Sequence, residues 1–204
     1  LRRAARLIEE RVYAISAAVA LEVGKNRMES IGEVQETADL IDWYCDQMEA
    51  NEGFDRALPD DPLPHFRSHN RTVLRPYGVW AVIAPFNLPF ALAGGPLGPA
   101  LIAGNTAVFK VSPETSLSGR LLLDALHDAG LPAGVINFVT GGDATGRALV
   151  ERSEPRRRAR QRAGARRASS RCASARSAVS IARRNAPTAM IWLRWSIVYT
   201  GSTP

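Results

Sequence analysis

Cysteine is scarce in this chain: Cys45 and Cys172 lie far apart in unlike surroundings, which excludes a disulfide framework and a zinc-ligand spacing. Three histidines, His65, His69 and His127, also lack metal-ligand spacing, so they read as surface residues and no metal is expected. No apolar run reaches the ~18 residues that a membrane span needs. The opening residues carry arginines but no cleavable apolar core, so no secretory signal is expected from them. The chain also opens on Leu1 in mid-helix, which reads as a truncated start. A reducing, cytoplasmic setting with no membrane partner is the expectation.

Charge is divided unevenly along the chain, and acids are nearly absent from its last quarter. Residues 1–151 hold 13 Lys+Arg against 19 Asp+Glu, a net of −6. Residues 152–204 hold 13 Arg, no Lys and the single acid Glu154, a net of +12. The whole-chain value of +6 averages two opposites and is no argument for nucleic-acid binding.

Large apolar residues are almost absent from residues 152–184, where 12 of 33 are Arg. Such a stretch cannot bury enough surface to offset its ordering entropy, so disorder is expected. It has arginine without lysine, few aromatics and no helical stripe, which argues against a nucleic-acid partner.

Elsewhere the pattern is that of a folded domain. Leu7, Ile8, Val12, Ile15, Val19 and Val23 recur at three- and four-residue steps and predict an amphipathic helix. A second helix follows Gly24, with Ile31, Val34, Ala38, Ile41 and Cys45 on one face and acids on the other. Residues 50–70 are rich in Pro, Asp and Asn and read as a surface connection. Arg71 to Pro76 reads as a short strand. Strand 79–84, helix 93–103, strand 106–109, helix 116–129, strand 135–139 and a helix from Thr145 then alternate. Short apolar strands separated by helices predict an α/β fold, a helical pair followed by a Rossmann-like parallel sheet with helices on both faces.

The expected divisions are 1–71 for the helices and connection, 72–151 for a partial dinucleotide-binding unit, 152–196 for the Arg-rich stretch, and 197–204 for a short resumed segment.

Three features suit a crevice at the carboxyl edge of that sheet. Asn87 follows an apolar strand and precedes Pro89; its amide could donate to a substrate oxygen, cap the next helix or bond a turn. Lys110 ends an apolar strand, where its cation could meet a ribose hydroxyl or phosphate, or stay solvated. Gly141-Gly142-Asp143-Ala144-Thr145-Gly146 forms a glycine-rich strand-to-helix turn, suited to a phosphate or simply tight.

Pro85-Phe86-Asn87-Leu88-Pro89 and Gly104-Asn105-Thr106-Ala107-Val108-Phe109-Lys110 resemble, in order and spacing, the corresponding segments of the NAD(P)-dependent aldehyde dehydrogenases. The resemblance extends from the first helix to about Glu151. Val23 to Glu29, Asp42 to Met48 and Arg75-Pro76-Tyr77-Gly78-Val79 look most like the branch that oxidises glutamate semialdehyde, in equilibrium with pyrroline-5-carboxylate, to glutamate in proline breakdown.

The resemblance implies that Asn87 donates to the substrate oxygen as a thiolate attacks the aldehyde. It implies cofactor contacts from Ile83, Ala84, Pro85 and Phe86, from Lys110 and Ser112, and from Gly142 and Asp143. Many NAD-preferring members carry Glu three positions after the lysine. Here Pro113 stands there, with Glu114 one place later, so NAD is expected and NADP is left open.

Tyr199-Thr200-Gly201-Ser202-Thr203 resumes the resemblance, with Gly201 and Ser202 matching the turn that approaches the pyrophosphate. Loss and recovery of resemblance fits a stretch translated out of frame, with a genuine basic insertion as the alternative. The family's nucleophilic Gly-Gln-x-Cys and basic Glu-Leu-Gly-Gly segments are not found in these residues, while Cys45 lies on an apolar helix face. The chain therefore reads as an oxidoreductase fragment, inactive alone and homo-oligomeric if full length. The alternatives are a catalytically dead cofactor-binding or assembly module, and a basic nucleic-acid-binding protein.

Overall fold

The computed structural model describes residues 1–62, 65 and 68–151, together with the backbone of residues 195–201. The apolar period from Leu7 to Val23 becomes two helices, α1 (Arg2–Glu10) and α2 (Val12–Val23), parted at Arg11. Arg11 leaves helical geometry with φ −104° and ψ 11°, and its guanidinium reaches Asp128 at 2.7 Å. The break lets Ile8, Ile15 and Val19 all be buried. Gly24 ends α2 at φ 79°, donating its N–H to Ala20, the left-handed cap that a residue without Cβ adopts at no steric cost. Asn26 then caps α3 (Arg27–Ala50) by accepting from the Glu29 N–H at 3.0 Å.

One acid on α3 is not where the sequence pattern puts it. Glu33 lies on the buried stripe with Val34, Thr37, Ala38, Ile41 and Cys45, not on the solvent face.

The stretch expected as a bare surface connection contains β1 (Asp55–Leu58), paired antiparallel with β2 (Ser68–Leu74). The second strand starts three residues before Arg71 and stops short of Pro76, whose missing N–H cannot extend a ladder. Strand β6 (Trp195–Gly201) adds antiparallel to the other edge of β2, with Gly201 opposite Ser68 and Trp195 opposite Leu74. It begins two residues ahead of the expected boundary at 197. The expected disorder of residues 152–184 lies outside the described residues.

The second sheet carries the expected alternation: β3 (Val79–Ile83), α4 (Ala91–Ile102), β4 (Thr106–Lys110), α5 (Ser116–Asp128) and β5 (Ile136–Val139). Residues 143–151, here α6, are helical. The strands are parallel in the order β3–β4–β5, as helical crossovers require.

Alternation along the strands sends Val82, Phe109 and Phe138 to one face, where Phe109 and Phe138 meet edge to face at 5.5 Å. Helices α4 and α5 cover that face, and Phe90, Leu97, Leu122 and Leu126 are fully buried with Val82 and Phe109. Each such side chain taken from water contributes ~1.5–3 kcal/mol. Helix α5 sits close because residue 119 is glycine; a Cβ there would lie 2.1 Å from a Val111 methyl. On the opposite face α6 arrives at Gly146, whose built Cβ would lie 3.8 Å from Lys110 Cε. Val79 and Ile83 on that face remain 57% and 38% exposed. The helical unit α1–α3 packs over α4 and α5, not over the strands.

Candidate functional site

Parallel order brings three strand exits side by side, because Ile83, Lys110 and Val139 are register partners at the carboxyl edge. After β3 the Ala84 N–H donates to the Lys110 carbonyl at 2.9 Å, tying the start of the next turn to β4. Ala84 is buried at 3%, Pro85 is half-buried, and Phe86 is 44% exposed. Asn87 is exposed, and its side chain makes no hydrogen bond among the described residues.

That sets Asn87 apart. The other described asparagines are each engaged: Asn26 caps α3, Asn51 and Asn70 bond nearby carbonyls, and Asn137 donates to Gly134. Asn105, in the same stretch of resemblance, accepts from the Gly78 N–H at 2.9 Å and donates to Ala100 O at 2.9 Å. Nor does Asn87 cap α4, whose N-cap is Phe90 with no side-chain bond.

The start of α4 is held from a distance instead. Glu33 Oε1 accepts from the N–H groups of Phe90 (2.8 Å) and Ala91 (3.2 Å). Glu22 does the same for α5, accepting from the N–H groups of Leu117 (2.8 Å) and Ser118 (2.7 Å). Carboxylates suit helix starts, where unpaired N–H groups and the helix dipole favour negative charge. With both already occupied, neither start is open to a phosphate in the way ordinary dinucleotide folds use one. Composition and periodicity did not reveal these acids. The only sequence signal was an acid beside Val34 on an otherwise apolar face.

Lys110 is 5% exposed, and its ammonium donates to the Val111 carbonyl at 2.8 Å. An ammonium has three N–H donors, so two are without a partner among the described residues. Beyond β4 the Ser112 hydroxyl donates to the exposed Glu114 carboxylate. That bond, the Glu114 backbone N–H and the nearby Lys110 charge hold Glu114 below the usual carboxylate range.

At the third exit Gly141 has φ 136°, and a Cβ there would lie 2.2 Å from Thr145 Oγ1, so glycine is required. Gly142 and Asp143 are exposed at the start of α6. Ile83 to Asn87, Lys110, Ser112, Gly142 and Asp143 therefore share one edge. Gly201 does not join them: β6 pairs with β2 in the other sheet. Ser202 lies outside the described residues.

Cys45 is 4% exposed on α3. Burial pushes its thiol up, with Asp42 and Glu49 adding to the shift and the N-terminal ammonium and Arg2 opposing it, the reverse of a nucleophile's requirement. His65, His69 and His127 are exposed.

Residues 1–159 match the aldehyde dehydrogenase family. The chain belongs to that family. It is 39% identical over 150 residues to an N-succinylglutamate 5-semialdehyde dehydrogenase of Caulobacter vibrioides, covering 74% of this chain and 30% of the relative. Against a 1-pyrroline-5-carboxylate dehydrogenase of Staphylococcus epidermidis the identity is 37% over 139 residues, covering 68% and 26%.

Among solved structures, the NADP-dependent glyceraldehyde-3-phosphate dehydrogenase of Bacillus halodurans, complexed with NADP, superposes with a TM-score of 0.63. The identity is 39%, over 69% of this chain and 30% of that one. This aldehyde dehydrogenase chain thus spans under a third of the length of these proteins.

Proposed function

We propose that residues 1–151 supply the oxyanion donor and part of the cofactor crevice of an NAD(P)-dependent dehydrogenase that oxidises an aldehyde to a carboxylic acid. The observation that carries this reading is Asn87: an exposed amide with no partner among the described residues, following a strand whose exit neighbours the buried cation of Lys110.

As a thiolate adds to an aldehyde carbon, charge gathers on the oxygen. A donor already fixed in place is then worth most in the transition state, ~3 kcal/mol for one oxyanion-hole bond. Cys45 is too buried to be that thiolate, so it would come from outside residues 1–151. When bound, the nicotinamide accepts the hydride. Lys110, Ser112 and Glu114 suit the adenine-side ribose of the dinucleotide: ammonium donors and an ionised acceptor match a diol. The Glu114 charge opposes a 2′-phosphate, which favours NAD over NADP.

Glutamate 5-semialdehyde is the favoured substrate. The relatives named for pyrroline-5-carboxylate and for N-succinylglutamate semialdehyde support a glutamate-derived semialdehyde. The parent enzyme would work as a homo-oligomer in the cytoplasm.

The test grafts residues 1–151 in place of the aligned stretch of the Caulobacter relative. Asn87→Ala in the graft should lower kcat ~10²–10³-fold and leave cofactor Kd within about twofold. Loss of cofactor affinity with kcat unchanged would sink the oxyanion assignment.

A further inference from the structure

The buried carboxylate of Glu33 has no part in the chemistry above, yet it is bonded to the turn that carries Asn87. That turn is short and tied at both ends. Ala84 N–H anchors its start on the Lys110 carbonyl, and Glu33 anchors its end through Phe90 and Ala91, three and four residues after Asn87. Between these anchors Pro85 and Pro89 lack N–H donors, and Asn87 makes no bond of its own among the described residues. The direction of the amide therefore depends on the two anchors.

The second anchor is itself held. Lys25 donates to the other Glu33 oxygen at 2.5 Å, with the two side chains 16% and 2% exposed. A buried carboxylate with two backbone donors and an ammonium has its charge matched on both oxygens. Lys25 follows the Gly24 cap of α2 directly, so the loop between α2 and α3 reaches the site through this pair.

Resting on the reading of Asn87 given above, we propose that Glu33 is a positioning residue for the Asn87 amide, with Lys25 as the counterion that keeps its carboxylate aimed. Glu22 makes the same type of contact at α5, away from Asn87, and provides the internal comparison.

The experiment uses the full 204-residue chain, labelled with nitrogen-15. Glu33→Gln should speed amide exchange at Phe90 and Ala91 roughly tenfold or more, because charge-assisted bonds are replaced by weaker neutral ones and the new amide faces Lys25. Leu117 and Ser118, held by Glu22, should stay within about twofold, and the Asn87 side-chain amide signals should move. Adding Lys25→Met should restore part of the protection, since the glutamine oxygen can still accept both N–H groups once the ammonium is gone.

General loosening of the fold would speed exchange at both helix starts alike; that result, or unmoved Asn87 signals, overturns the proposal. If Glu33→Gln does not fold, Lys25→Met alone must show the same local pattern, and failure to do so also overturns it. The catalytic reading stands or falls separately: moved Asn87 signals with full activity of Asn87→Ala in the graft would support positioning and remove the oxyanion role.

Discussion

Substituting Gly94 with alanine puts one methyl group where α3 and α4 come closest. The added Cβ would lie 2.2 Å from Thr37 Cγ2 and 3.5 Å from Thr37 Cβ, whereas carbon atoms attract best at ~3.5–4.0 Å. Thr37 is fully buried and its hydroxyl donates to the Glu33 carbonyl at 2.9 Å. Turning the methyl away therefore gives up that bond or forces the helices apart. Overpacking of this kind costs ~1–3 kcal/mol, against a helix-propensity gain of ~1 kcal/mol for replacing glycine by alanine. The net should be a destabilisation of ~1 kcal/mol.

Gly32, also in α3, has no heavy atom within 4 Å of its built Cβ, so Gly32→Ala should stabilise by ~0.5–1 kcal/mol. Thr37→Ser removes the colliding methyl and keeps the hydroxyl. On that background Gly94→Ala should cost ~1–2 kcal/mol less than on the wild type. Thermal unfolding followed by circular dichroism compares the wild type with these four variants, and each kcal/mol should appear as a ~2–4 °C shift in Tm. If Gly94→Ala stabilised as much as Gly32→Ala, or if Thr37→Ser brought no relief, the close packing of α3 on α4 would be refuted. The position of α4 matters because its first residues end the Asn87 turn.

Asn105→Ala should destabilise by ~2–4 kcal/mol, because it leaves the Gly78 N–H and the Ala100 carbonyl without partners; Asn87→Ala should change stability by less than ~0.5 kcal/mol, and thermal melts compare the two directly. Cys45 should react with iodoacetamide at pH 8 at least about tenfold more slowly than a free thiol, since burial both shields it and disfavours the thiolate; rapid labelling mapped by mass spectrometry would contradict its placement. Ser112→Ala should move the Glu114 titration up toward the ordinary carboxylate value. With the folded value depressed, Glu114 contributes stability above the unfolded value of ~4.3, lost as pH falls through the lower folded one, and carbon-13 NMR across that range tests the sign. Lys110→Met should weaken NAD binding to the chain by about tenfold or more, and calorimetry showing unchanged affinity would remove Lys110 from the cofactor crevice.

Much of this protein was legible along the chain because the deciding interactions are local or periodic. Apolar runs bounded by glycine and proline placed β3, α4, β4, α5 and β5 within a residue or two, since a buried parallel strand and a buried helix each announce themselves by length and spacing. Asn87 and Lys110 stood out by contrast with apolar neighbours, and strand order follows from helical crossovers once the alternation is read. Other features required residues far apart in sequence to meet. Arg11 breaks a periodic helix because α1 and α2 must both pack against α3 and α5, and β2 starts at Ser68 because it has β1 and β6 as partners. The roles of the two asparagines separated only when Asn105 found the Gly78 N–H, 27 residues away, and Asn87 found no partner among the described residues. Glu33 looked like one more solvated acid until the fold carried it to helix N–H groups 57 and 58 residues further on. Burial of a charge is decided by what lies opposite it, and no local pattern contains that information.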